Sequence, residues 1–210
     1  MKRQVGIIDR VHGPVVEARD CLDAMMMELV HVGESGLVGE IIKLSGTRCV
    51  IQVYEDTTGL APGQQVYGTG MPLSVELGPG LLGGIFDGIQ RPLTALKERV
   101  GPFISRGEQI PALNREKRYY FTPAVLKGEY LQAGEVIGTV PEGDRVIHRI
   151  MVPPECSGRI LRIADAGLFH VTEELAVLED ESGQVRSLTM MQYWPIRRAR
   201  PVRRRLPLSR

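Results

Sequence analysis

LVGEIIKLSGTRCVIQVY (residues 37–54) is the stretch whose reading decides the fold. Leu37 to Leu44 and Cys49 to Tyr54 each alternate with a period of two, the spacing of a strand whose successive side chains point to opposite faces. Cys49, Ile51 and Val53 share one face, Val50, Gln52 and Tyr54 the other, and Ser45-Gly46 is a hairpin turn signal between the two runs. Upstream, Val5, Ile7 and Ile8 precede the turn-forming Gly13-Pro14, Val15-Val16 follow it, and Met25 to Val32 forms a further apolar run. Downstream, turns at Thr57-Thr58-Gly59 and Pro62-Gly63 lead into Gln65 to Thr69 and Leu73 to Leu77. Five or six short strands in so little chain predict a small closed antiparallel barrel, because closure removes the edges that short strands otherwise expose.

Gly78-Pro79-Gly80 breaks this pattern, and Pro92 suits the first turn of one short helix, Leu93 to Val100, in which Leu93, Leu96, Lys97 and Val100 keep helical spacing. A second β-rich unit follows. Its predicted strands are Arg118 to Phe121, Val136 to Val140, Val146 to Val152, Arg159 to Ile163, Leu168 to Val171, Ala176 to Leu178 and Val185 to Met190, separated by turns at Gly134, Gly143, Gly158, Gly167 and Gly183. From Trp194-Pro195 the chain has no apolar period and is expected to be extended and weakly held. The expected fold class is therefore mainly β: a barrel over residues 1–72, a connecting segment with the helix over 73–106, a barrel-sandwich-like lobe over 107–190 and an Arg-rich connection over 191–210.

Composition narrows the function classes. The 210 residues are 43% hydrophobic, with 24 Gly and 14 Pro spread between the apolar runs, which suits a folded chain of many turns. No stretch approaches the ~20 apolar residues of a membrane span, and Met1-Lys2-Arg3 leads straight into a strand pattern, so a cytoplasmic location is expected. The net charge of +1 hides an asymmetry: residues 197–210 hold seven Arg and no acid, while the rest carries 19 basic against 25 acidic residues. Cys21, Cys49 and Cys156 are far apart in sequence with no CxxC pair, and read as buried or inert thiols. His12, His31, His148 and His170 are scattered and receive no chemistry.

An independent ATPase needs a GxxxxGK[ST] loop whose backbone N–H groups and lysine enclose the phosphates, and none occurs. The glycine-rich stretch Gly78 to Gly84 has no lysine before Lys97 and is followed by a strand-like run, so phosphate binding is not assigned to it. GxSxG and HExxH are absent. Glu28, Glu40, Glu76 and Asp87 stand singly and read as solvated or barrel-rim acids. No catalytic, cofactor-binding or metal-ligating residue is assigned. Residues 126–138 and 152–160 share the turn pattern of a biotinyl or lipoyl carrier domain, but a carrier needs a lysine at a hairpin tip and none follows Lys127. A free-standing carrier-like or protein-interaction domain is the alternative reading. Nucleic-acid binding through the arginine tail is disfavoured by the acidic body and by aromatics at 5%.

Gly13-Pro14-Val15-Val16, Gly39-Glu40-Ile41-Ile42, residues 51–60 (IQVYEDTTGL) and residues 72–82 (PLSVELGPGLL) resemble the amino-terminal barrel of the catalytic subunit of vacuolar/archaeal-type rotary ATPases. Residues 85–93 (IFDGIQRPL) resemble the segment that follows that barrel. Phe121-Thr122-Pro123, residues 147–154 (IHRIMVPP) and residues 192–197 (QYWPIR) resemble the family's inserted domain and its exit. Tyr119 stands where the family usually has Trp. The F-type β subunit lacks such an insertion, so residues 107–190 favour the vacuolar/archaeal type. The resemblance implies ATP hydrolysis or synthesis in a hexamer with companion B subunits, coupled to proton or sodium movement. It also implies a peripheral association with the membrane through the complex, and a lobe near the peripheral stalk. Mg-ATP would be the full-length subunit's cofactor, with the phosphate loop and catalytic glutamate beyond Arg210, so this stretch alone is expected to have no ATPase activity.

Overall fold

A computed structural model describes residues 3–101, 106–143 and 146–201. The chain divides into two compact units, one comprising Met1–Ser74, Thr94–Ile110 and Pro195–Arg197, the other Val75–Leu93, Pro111–Trp194 and Arg198–Arg210.

The first unit is built on β1 (Arg3–His12), β2 (Val15–Arg19), β3 (Glu28–Val32), β4 (Leu37–Ser45), β5 (Arg48–Val53) and β6 (Gln65–Pro72). They close into the expected antiparallel barrel in the order β1-β2-β5-β4-β3-β6, with β6 returning to pair β1. The β4–β5 hairpin sets Ile41 opposite Ile51 and Leu44 opposite Cys49. Cys49, Ile51 and Val53 are all buried, as the alternation requires, and they meet Val5, Ile8, Val16, Val30, Ile41 and Val66 in one core. Each fully buried aliphatic side chain there contributes roughly 1.5–3 kcal/mol. Register shifts on β1, between Ile8 and Arg10 toward β2 and between Gln4 and Gly6 toward β6, mark bulges that tighten the bend needed for closure. At Gly6 a Cβ would stand 2.9 Å from Cys21 Sγ and 3.2 Å from the Arg19 carbonyl oxygen, so the strands approach too closely there for a side chain. The same unit holds α1 (Leu93–Val100), the single helix among the described residues, whose one buried side chain is Leu96. Gly101, at φ +84°, donates its N–H to the Lys97 carbonyl and caps the helix end.

The second unit starts within β7 (Ser74–Leu77) and continues through β8 (Arg118–Pro123), β9 (Tyr130–Leu131), β10 (Val136–Glu142), β11 (Val146–Met151), β12 (Gly158–Ile163), β13 (Gly167–His170), β14 (Ala176–Glu179), β15 (Val185–Leu188) and β16 (Gln192–Pro195). Two four-stranded sheets, β11-β10-β8-β13 and β15-β14-β12-β9, enclose one core. Phe121, Ile137, Val140 and Ile150 come from the first sheet and Leu131, Ile160, Leu178 and Leu188 from the second. Phe121 and Phe169 meet edge to face, with ring centroids 6.2 Å apart. β9 and β16 were not among the predicted strands. The two-residue β9 pairs β12, and β16 pairs β7.

The expectation that the exit segment is weakly held is corrected for residues 194–200. Trp194 is buried and donates its indole N–H to the Arg198 carbonyl (2.7 Å), with the Arg198 and Arg200 guanidiniums over its ring at 5.5 and 4.9 Å. The aromatic face gives the arginines a partner that an apolar period cannot reveal. Arg203, Arg204, Arg205 and Arg210 of the predicted tail lie outside the described residues. Among the described residues no helix is long and apolar enough to cross a membrane.

Candidate functional site

Four buried or half-buried carboxylates tie the chain together, and two of them correct the sequence reading. Glu28 and Glu40 were expected on the rim or in solvent, yet each is 1% exposed. Glu28 begins β3 at an inward position, where burial of a carboxylate is tolerable only if every lone pair finds a donor. Its Oε1 accepts from the Arg3 guanidinium and the Gly70 N–H (2.8 Å), and its Oε2 from the Met25 N–H (2.9 Å). Three segments of the barrel are thereby gathered on one side chain.

Glu40 lies opposite Gln52 on the outer face of the β4–β5 hairpin and is buried all the same. The Arg197 guanidinium grips it bidentately, Nε to Oε1 at 3.0 Å and Nη2 to Oε2 at 2.7 Å, and the Tyr54 hydroxyl donates to Oε2 at 2.7 Å. Burial alone would raise the Glu40 carboxyl, but Arg197 and Tyr54 outweigh it and hold it below the usual carboxylate range. Burial and the same carboxylate push the Tyr54 phenol up. The pair fastens the exit residues Pro195–Arg197 to the barrel.

Glu76 and Asp87 organise loops of the second unit. Glu76 receives the Arg115 guanidinium, the Leu113 N–H (3.0 Å) and the Tyr193 hydroxyl (3.4 Å). The side chain of Gln90, a residue held at φ +64°, pairs with the Glu76 backbone in both directions, at 2.6 and 2.8 Å. Asp87 accepts from the N–H groups of Ile89 and Arg91 and from Arg91 Nε (2.7 Å). Burial would raise the Asp87 carboxyl, but these donors hold it low. Each is a structural fastening with its oxygens already engaged.

In the glycine-rich stretch the N–H groups of Gly80 (2.6 Å) and Leu82 (3.4 Å) both donate to Glu142 Oε1, so a protein carboxylate already sits where an anion would be cradled. The other Glu142 oxygen meets His148 Nδ1 at 3.2 Å. Tyr119 is buried, with Lys117 Nζ over its ring at 4.9 Å. Of the other histidines, His31 bonds Gln109 (3.0 Å), His170 accepts from Arg118 Nε (3.1 Å), and His12 is exposed. Lys127, the last lysine of the chain, is exposed in the turn before β9.

All three cysteines are buried and free, as expected. The structure adds that Cys21 and Cys49, remote in sequence, share the barrel core, that Cys21 Sγ donates to the Arg19 carbonyl (3.7 Å), and that burial pushes both thiols up. The missed fastenings had one faint signal: acids placed inside the strand-forming runs 25–32 and 37–44.

Two family domains match this chain: the beta-barrel domain of the ATP synthase alpha/beta family over residues 8–70, and the alpha/beta subunit barrel-sandwich domain over residues 110–197. The V-type ATP synthase alpha chain of Thermoanaerobacter sp. (strain X514) is 54% identical over 202 residues, which is 96% of this chain and 34% of the relative. An A-type ATP synthase subunit of Methanopyrus kandleri is 52% identical over 201 residues, again 96% and 34%. Its counterpart in Pyrococcus abyssi is 50% identical over 202 residues, 96% of this chain and 20% of the relative. The chain thus spans about a third or less of the length of the curated relatives it matches. With the barrel and the barrel-sandwich each found where its domain matches, this chain belongs to the ATP synthase alpha/beta family, in its A-type and V-type branch.

Proposed function

We propose that this chain is the amino-terminal part of the catalytic subunit of a vacuolar/archaeal-type rotary ATPase, working in hexamer assembly and stator contact. The observation that carries the reading is the pairing of about half identity over 96% of this chain with a span of about one third of the relatives. The barrel, residues 1–72, meets the barrels of companion B subunits in a ring. Leu22, Met25, Met26, Met27 and Met71, exposed on that unit, support a contact role, since adaptable thioether side chains suit binding surfaces. The lobe, residues 107–190, faces the peripheral stalk, and residues 191–210 lead toward the nucleotide-binding domain of the full-length subunit. Mg-ATP is held there, and its hydrolysis or synthesis is coupled to proton or sodium movement by a complex on the cytoplasmic face of the membrane. The carboxylate already bound to the Gly80 and Leu82 amides supports a division in which this part holds no nucleotide.

Isothermal calorimetry of the 210-residue chain with Mg-ATP is expected to show no binding up to millimolar nucleotide. Gel filtration with a companion B subunit is expected to give a stoichiometric complex. Micromolar ATP affinity in the isolated chain, or failure to associate with B, overturns the reading. The carrier alternative draws on the matched barrel-sandwich domain and the exposed Lys127. It requires a lysine-bound cofactor mass on protein from the native host.

A further inference from the structure

The two sheets of the lobe differ in how their outward faces handle charge. On β15-β14-β12-β9 Arg162 is paired with Glu174, and Arg159, with Glu179 in the opposite register position, donates to the Gly128 carbonyl (2.7 Å). On β11-β10-β8-β13 Arg118 gives its Nε–H to a histidine ring nitrogen, and neither Arg118 nor Arg149 forms an ion pair with a described residue. The outward positions of these four strands carry no Asp or Glu.

The same face leaves large apolar groups in water. Tyr120 is 52% exposed and stands opposite Leu168, which is 58% exposed, while Ile147, two residues from Arg149, is 67% exposed. Cross-strand register makes the patch continuous: Thr122, two residues from Tyr120, pairs Thr139, which in turn pairs Arg149. With neighbouring strands about 4.8 Å apart, four strands present a face roughly 15 Å wide. Cations without an ion pair among the described residues, interleaved with exposed apolar side chains, suit a partner that supplies carboxylates and an apolar stripe at once, because each ion pair strengthens as the apolar contact excludes water.

We propose that this outward face, built on Arg118, Tyr120, Ile147, Arg149 and Leu168, is a docking surface for an acidic protein segment with interspersed apolar side chains. The proposal rests on the reading of the lobe as a partner-facing element and adds which face meets the partner and what the partner's chemistry is. A nucleic acid is the poorer occupant: two arginines on the face would neutralise only about two phosphates, against the roughly 6–10 phosphate contacts of a strongly salt-dependent binder.

Photo-crosslinking in the native host tests this directly. A benzoylphenylalanine at position 120, carried by the chain as the host makes it, is expected to attach to one peptide of another protein, with net negative charge and apolar residues in its sequence. The double variant Arg118→Glu, Arg149→Glu is expected to reduce the adduct at least about tenfold. The control Arg159→Glu, Arg162→Glu on the opposite sheet should leave it unchanged. A basic peptide, a nucleotide or lipid adduct, or no adduct at position 120 overturns the docking face. A second photoreactive residue at Met26 separates the two readings. Crosslinks from 26 with none from 120 sink the docking face while assembly stands, and silence at both positions sinks both.

Discussion

At the scale of single residues, the carboxylates decide the barrel. Glu28 is a fully buried anion whose oxygens hold the Arg3 guanidinium and two backbone N–H groups. Glu28→Ala removes the acceptor for all three, and the Gly70 and Met25 amides have no replacement. The cost of stranding buried donors, ~1–3 kcal/mol each, predicts a loss of roughly 2–4 kcal/mol in urea unfolding, discounted because Arg3 is partly solvated. Glu28→Gln keeps two acceptor sites on one oxygen and should lose less. Equal losses would mean that the anion itself, not its hydrogen bonds, holds the segments. Little of this was legible beforehand. An acid within an alternating run does not announce its partner, and Arg3 and Gly70 are 25 and 42 residues away from Glu28. That Cys21 and Cys49 share one core was hidden in the same way: it depends on β2 and β5 being neighbours, which spacing along the chain does not encode.

Among the elements, legibility followed length and period. β5 was legible from alternation because Cys49, Ile51 and Val53 meet the core on one face, and a one-residue slip would expose all three, whereas β4 buries five successive residues, Leu37 to Ile41, on both faces. The two-residue β9 and the β16 strand, with Gln, Tyr, Trp and Pro in succession, offer no period to read; partners across the sheet create them. β10 carries the sharpest packing constraint in the lobe. A Cβ on Gly138 would stand 2.2 Å from Phe121 Cε2 and 2.6 Å from the Thr122 carbonyl oxygen, on the strand that pairs β8. Phe121 is fully buried and packed edge to face on Phe169, so Gly138→Ala should cost about 1–3 kcal/mol by overpacking, measurable as a lowered denaturation midpoint. Gly134→Ala tests a different mechanism on the same stretch. That glycine has open space around it but a φ of +82°, so its penalty is one of backbone strain, about 1 kcal/mol. Phe121→Leu should rescue Gly138→Ala in part and leave Gly134→Ala unrelieved.

For the molecule as a whole, the charge fastenings predict how stability depends on pH. Glu40 and Asp87 are held low against the opposing effect of burial, by Arg197 with Tyr54 and by Arg91 with Ile89, while Asp180 is held low chiefly by the Ser182 hydroxyl and the Gln184 N–H. A carboxyl with a depressed folded value binds fewer protons folded than unfolded. Its contribution is therefore complete above the unfolded value of about 4 and is lost as pH falls through the folded one. On the alkaline side, burial pushes the phenols of Tyr54, Tyr119 and Tyr193 up, so the folded state retains protons that the unfolded chain releases, and stability falls above about pH 10. Burial also pushes the Cys21 and Cys49 thiols up from an unfolded value of about 8.5, so thermal midpoints should form a plateau between about pH 5 and 8, with both limbs falling away from it. Glu40→Gln lowers the plateau by weakening the Arg197 grip, yet it also deletes one depressed carboxyl, so the acid limb of the variant should be shallower than that of the parent. A parallel displacement of the two curves, with no change of slope, would mean that the Glu40 carboxyl titrates alike in the folded and unfolded chain and that Arg197 does not hold it low.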